Sequence, residues 1–241
     1  MSSESQQITL ALLPKITAVL SFLGSGWITA EVLTGRDAAS RKRKYHHPYH
    51  RLLLGMSIID IMESIANVFS TWALPSDTED VWMPLGNRAT CNLQGFFVTW
   101  SAAVPIYNAS LSLYYVLVIN YNIPDRKIAQ CTEPSMHAIA VTWGVGTALV
   151  AVFMDLINEA NLWCWIAPYP DDCLDSRRYP DDANCQRGDN AWIYRWAFFY
   201  APLWTSLLLA SKYYGIITAH FFTVTKNNFS QPVPYFFHSF V

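Results

Sequence analysis

The chain has 241 residues, 52% of them hydrophobic and 14% charged, with a formal net charge of −2. An ordinary soluble domain carries about 25% charged residues, and here the apolar residues gather into blocks instead of recurring at helical or strand periods. These features argue against a water-soluble globular domain and predict an all-α membrane protein, a transmembrane helix bundle with the lipid bilayer as its first partner.

Residues 1–7 are polar and hold Glu4 but no basic residue, so they lack the positively charged start of a cleaved signal peptide. They are expected to form a short extracellular tail, with the first apolar stretch retained as a signal-anchor. A spanning helix needs roughly 20 largely apolar residues, and five stretches fit: 8–33, 52–74, 91–123, 135–157 and 191–222. Lys15 interrupts the first and is expected to snorkel to the headgroups. The third is the cleanest, with no Asp, Glu, Lys or Arg between Ala89 and Pro124. Pro105 removes a backbone donor within it and predicts a kink.

The connecting loops alternate in charge. The first holds Arg36, Arg41, Lys42, Arg43, Lys44 and Arg51, and the third Arg126 and Lys127. The second and fourth are acidic on balance, with Asp77, Glu79 and Asp80, then Glu159, Asp171, Asp172, Asp175, Asp181, Asp182 and Asp189. The excess of Lys and Arg assigns the first and third loops to the cytoplasm. This gives a multi-pass plasma-membrane protein with its amino terminus outside and residues 223–241 as a cytoplasmic tail. His46, His47 and His50 adjoin the basic run, where contact with anionic lipid is favoured over metal binding.

Cys91, Cys164, Cys173 and Cys185 then share the outer side, where disulfides form, and Cys131 lies in a cytoplasmic loop. Four cysteines permit three pairings; Cys91 with Cys164 and Cys173 with Cys185 is preferred.

Asp60, Glu63, Ser64 and Asn67 are spaced three, four and seven apart and so share one helix face. Carboxylates at bilayer depth are costly and mark either a functional polar pocket or a structural hydrogen-bond cluster. Tyr107, Asn108 and Ser112, beyond the Pro105 kink, are added to this expected pocket. Arg195 is expected to meet an anionic ligand or, in preference, an acidic loop residue. Trp192, Trp196 and Tyr200 suit an interfacial aromatic belt. No nucleophile elbow, phosphate-cradling glycine loop or zinc spacing occurs, so the chain is expected to be no enzyme, to hold no cofactor or metal and to bind no nucleic acid.

In order along the chain, the second span Leu52-Leu53-Leu54-Gly55-Met56-Ser57-Ile58-Ile59-Asp60, Cys91 at the outer head of the third span, Trp143, the segment Trp163-Cys164-Trp165-Ile166 and Pro202 resemble the G-protein-coupled receptors. The Cys-Trp segment is closest to the cyclic-AMP-receptor-like and secretin-like types. The resemblance covers residues 8–222, a receptor-like transmembrane domain of five of seven helices. It favours Cys164 as the partner of Cys91 and implies Asp60 as a sodium-binding residue that changes protonation on activation. It also implies an extracellular ligand, a heterotrimeric G protein reached through Arg41, Lys42, Arg43, Lys44, Tyr121, Arg126 and Lys127, and a receptor dimer. Asn120-Tyr121-Asn122 departs from the family's acidic-Arg-Tyr triplet, and no sixth or seventh helix follows before Val241, so a truncated, spliced or partial receptor is expected. The alternatives are a transporter or channel subunit that uses the intramembrane carboxylates, and a non-signalling fragment.

Overall fold

The computed structural model describes residues 4–34, 47–79, 81–170, 173 and 185–229, which are mostly helical. The long helices are α1 (Glu4–Thr34), α2 (Pro48–Phe69), α3 (Arg88–Trp100), α4 (Ala103–Ile119) and α5 (Glu133–Phe153). A two-stranded antiparallel hairpin follows, β1 (Ile157–Ala160) and β2 (Trp163–Ile166), in the register Ile157 opposite Ile166. The chain continues through the short α6 (Ala191–Arg195) and a π-helical turn, Trp196–Tyr200, into α7 (Ala201–Phe229).

Among the described residues four helices are long and apolar enough to cross a membrane: Ser5–Thr34, Pro48–Ala73, Arg88–Ile119 and Glu133–Phe153. The expected fifth segment, 191–222, is helical in three pieces; α7 is long enough, but Ser206, Lys212, Tyr213, Tyr214 and His220 dilute its apolar character, and it is not one of the four. The fourth span stops at Phe153 instead of running to Ile157. Asp155, at φ 54°, turns the chain there into β1.

The third span breaks between Trp100 and Ala103, where its proline requires it. Pro105 has no N–H for the carbonyl of Ser101 four residues earlier, and that carbonyl accepts instead from the Val104 amide at 2.9 Å. Asn87 starts the span four residues before Cys91, its side chain accepting from the Ala89 and Thr90 amides in a capping box. At the break, α5 comes close because residue 144 is glycine: a Cβ there would meet the Trp100 ring at 2.6 Å and the Trp100 carbonyl at 2.7 Å. Small residues let helices approach in this way where lipid offers no hydrophobic driving force between them.

Lys15 does not reach outward. Its side chain is buried, with Nζ donating to the carbonyls of Val68 at 3.2 Å and Phe69 at 2.8 Å and lying 3.9 Å from the Trp72 ring centre. The last carbonyls of a helix lack amide partners and carry the negative end of its dipole, so the α2 terminus is a better site for the ammonium than the headgroups are.

Trp143 and Pro202 come together for a related reason. Pro202 cannot donate to the Phe198 carbonyl four residues before it, and the Trp143 indole N–H fills the vacancy at 3.1 Å, tying α5 to the π turn.

Candidate functional site

The hairpin lies across the end of the bundle formed by the close of α2, the start of α3 and the close of α5. Cys91 and Cys164 are disulfide-bonded with Cα atoms 5.2 Å apart, and Cys173 pairs with Cys185, which is the preferred pairing; Cys131 is free and exposed. The strand alternation turns Cys164 and Ile166 into the bundle and leaves Trp163 and Trp165 half-buried. Residue 95 is glycine because a Cβ on that face of α3 would strike the Ile157 side chain.

Gln94, buried and absent from the sequence expectations, joins three elements. Its Nε2 donates to the carbonyls of Ala66 and Ser70, both at 3.0 Å, and its Oε1 accepts from the Cys164 amide at 2.8 Å. Ser70 Oγ adds a bond to the Leu162 carbonyl at 2.9 Å. Gln94→Leu would remove the side-chain acceptor of the Cys164 amide and the tie to the Ser70 carbonyl, a loss of about 2 kcal/mol in hairpin docking. The expected readout is faster hydrogen exchange at the Trp163 to Ile166 amides, with the disulfide intact.

Under the hairpin is a cleft of about 600 Å³, within the roughly 300–1,000 Å³ usual for small-molecule sites. Its walls are Leu13, Pro14, Thr17, Ala18 and Ser21 of α1, Glu63, Ser64 and Asn67 of α2, and Val98 of α3, with Ser101 at the break. Trp163, Trp165 and Phe199 close it, Trp165 meeting Phe199 edge to face with ring centres 5.4 Å apart. Ser101 and Asn67 lie beside the Glu63 carboxyl, and Ser25 beside that of Asp60, one turn along. Three of the expected pocket residues, Glu63, Ser64 and Asn67, are thus brought together, with Asp60 adjacent.

The others lie elsewhere. Tyr107 is buried, its hydroxyl 2.9 Å from His137 Nδ1 on α5. Asn108 is exposed, and Ser112 donates to the Asn108 carbonyl at 3.0 Å. Arg195 meets the loop, but through a backbone oxygen: its Nε and Nη2 donate to the Ile166 carbonyl at 3.0 and 2.6 Å, over the Trp165 ring. That contact holds the base of α6 to β2.

A second constellation occupies the opposite end, where α2 and α5 begin. Arg51 Nε and Nη2 each donate to a different oxygen of the Glu133 carboxylate at 2.5 Å, a bidentate pair in which the Glu133 side chain is 5% exposed. His137, one turn along α5, stands 3.6 Å from the same carboxylate and joins it to Tyr107. Beside it, Asp125 takes His47 Nδ1 at 2.6 Å and the Tyr114 hydroxyl at 3.0 Å. Of the expected coupling residues, Tyr121, Arg126 and Lys127 are exposed near this end, and Arg41, Lys42, Arg43 and Lys44 lie outside the described residues. Asn120 Nδ2 donates to the Ile216 carbonyl of α7 at 3.4 Å. Glu133 and His137 carried a signal, an acid and a histidine one helical turn apart at the head of a span, which the basic character of the surrounding loop obscured.

No protein-family model matches the chain, and no curated protein matches it in sequence.

Proposed function

We propose that the chain is a receptor-like signalling protein of the plasma membrane, related to the G-protein-coupled receptors. In this reading 191–222 is a fifth span, the amino terminus is outside, and a ligand entering the hairpin-covered cleft shifts helix packing so that the opposite end signals to a heterotrimeric G protein. The observation that carries it is the disulfide from the head of the third span to the hairpin strand Trp163–Ile166, which roofs a cleft; this reading assigns the opposite end to the cytoplasm. In this reading the Arg51–Glu133 ion pair there, closed in the structure, parts on activation and so acts as the conformational switch.

Reconstituted with purified G proteins in lipid nanodiscs, the chain should accelerate guanine-nucleotide exchange above empty discs. Failure with every G-protein class removes the proposal. Cation flux into liposomes that Asp60→Asn abolishes would put a transporter or channel subunit in its place, since paired carboxylates within a span also suit an ion path.

A further inference from the structure

We propose that the hairpin-covered cleft binds a lipophilic organic cation, an arylalkyl ammonium, with its charge at Glu63 and its apolar body under Trp163, Trp165 and Phe199. The inference rests on the proposed membrane placement but not on coupling to a G protein.

Charge decides the sign of the ligand. Glu63 is the one ionisable side chain lining the cleft, and Asp60 lies one turn away. The polar side chains beside them, Ser101, Asn67 and Ser25, are neutral, and the ion pairs His47–Asp125, Arg51–Glu133, Arg88–Asp155 and His137–Glu133 involve neither carboxylate. Two basic groups on the flanking elements are engaged elsewhere, Lys15 at the end of α2 and Arg195 at the Ile166 carbonyl. An anionic guest would be repelled by an ionised carboxylate here, whereas an ammonium supplies the counter-charge that lets a buried carboxyl ionise.

Shape and surface decide the rest. Of the three rings at the mouth, Trp165 already carries the Arg195 guanidinium 5.1 Å from its centre, which leaves Trp163 and Phe199 to attract an ammonium within about 6 Å of a ring centre. The opposite wall, Leu13 to Ala18 of α1, is mostly apolar and suits a hydrocarbon or aryl body. A bare metal ion would gain little here: no cluster of three or more His, Cys, Asp or Glu side chains occurs among the described residues, and hard cations prefer six or more oxygen ligands.

The test measures binding alone, by calorimetry on the full chain in phosphatidylcholine nanodiscs with empty discs as reference. The probes are phenethylammonium and benzyltrimethylammonium, compared with phenethyl alcohol and 3-phenylpropanoate. Saturable binding of both ammonium probes is expected, with the alcohol and the carboxylate at least ~30-fold weaker, the loss typical when one member of a buried charge contact is removed. Glu63→Gln should abolish that preference, and Trp163→Leu should weaken the quaternary probe more than the alcohol. Mass mapping of the Cys91 to Cys164 bond confirms that each variant is folded. Equal binding of alcohol and ammonium, an unchanged preference in Glu63→Gln, or uptake no greater than in empty discs overturns the site. Ammonium binding without nucleotide exchange overturns the receptor reading and leaves the site standing; exchange without ammonium binding does the reverse.

Discussion

Glu133→Ala alone is expected to destabilise the folded chain by about 3–5 kcal/mol, the cost of stranding a guanidinium whose buried partner has been removed. Arg51 holds both Glu133 oxygens at 2.5 Å, so its charge would face a void at the junction of α2 and α5. The same physics predicts rescue. Burying two charges costs roughly what their attraction returns, so replacing both by apolar groups of similar volume is often neutral or stabilising. Arg51→Met with Glu133→Leu should therefore recover most of the melting temperature that either single change loses, measured by thermal unfolding in detergent. If the double variant is no more stable than the singles, the coupling to His137 and Tyr107 outweighs the Arg51–Glu133 pair itself. Under the receptor proposal the rescued variant also separates stability from signalling: folded but lacking the ion pair, it should show altered basal nucleotide exchange.

Much of the bundle was legible in the sequence because bilayer length and backbone satisfaction leave few options. The four apolar helices fall where the blocks of Leu, Ile, Val and Phe lie, and the break in the third follows from Pro105. The expected cysteine pairs are the ones the chain forms. The hairpin was less visible. Trp163-Cys164-Trp165-Ile166 alternates as a strand does, but its partner Ile157–Ala160 sits against the end of an apolar span and reads as its continuation; only Asp155 and Asn161, both at positive φ, separate span, strand and turn. Lys15 and Gln94 were illegible for a different reason. Whether a long polar side chain reaches the headgroups or a neighbouring helix end depends on which carbonyls the tertiary packing leaves unpaired. Helical spacing placed Asp60, Glu63, Ser64 and Asn67 together, but it carries no information about the angle between spans, and so could not separate Tyr107, which faces His137, from the cleft residues.

Breaking the disulfide by Cys91→Ser should have a comparable effect, concentrated at the hairpin end. Cys91 and Cys164 are 73 residues apart, and closing a loop of that size restrains a disordered chain by about 4 kcal/mol. In a bilayer the helices between them persist when packing is lost, so the restraint on the chain as a whole is smaller and the loss falls on hairpin docking. Gln94 and Ser70 would still hold the hairpin, but through two hydrogen bonds, to the Cys164 amide and the Leu162 carbonyl, that suffer competition from water once the hairpin lifts. Cys173→Ser with Cys185→Ser opens a loop of only 12 residues with no tie to a span, and should leave the cleft closed. The measurement is solvent exposure of the cleft: with exposed Cys131 replaced by serine and Ser64 by cysteine as reporter, a maleimide dye should label residue 64 far faster in Cys91→Ser, Cys164→Ser than in Cys173→Ser, Cys185→Ser. Equal rates would mean that the hairpin is held by its hydrogen bonds alone and that the disulfide to the third span is not what roofs the site.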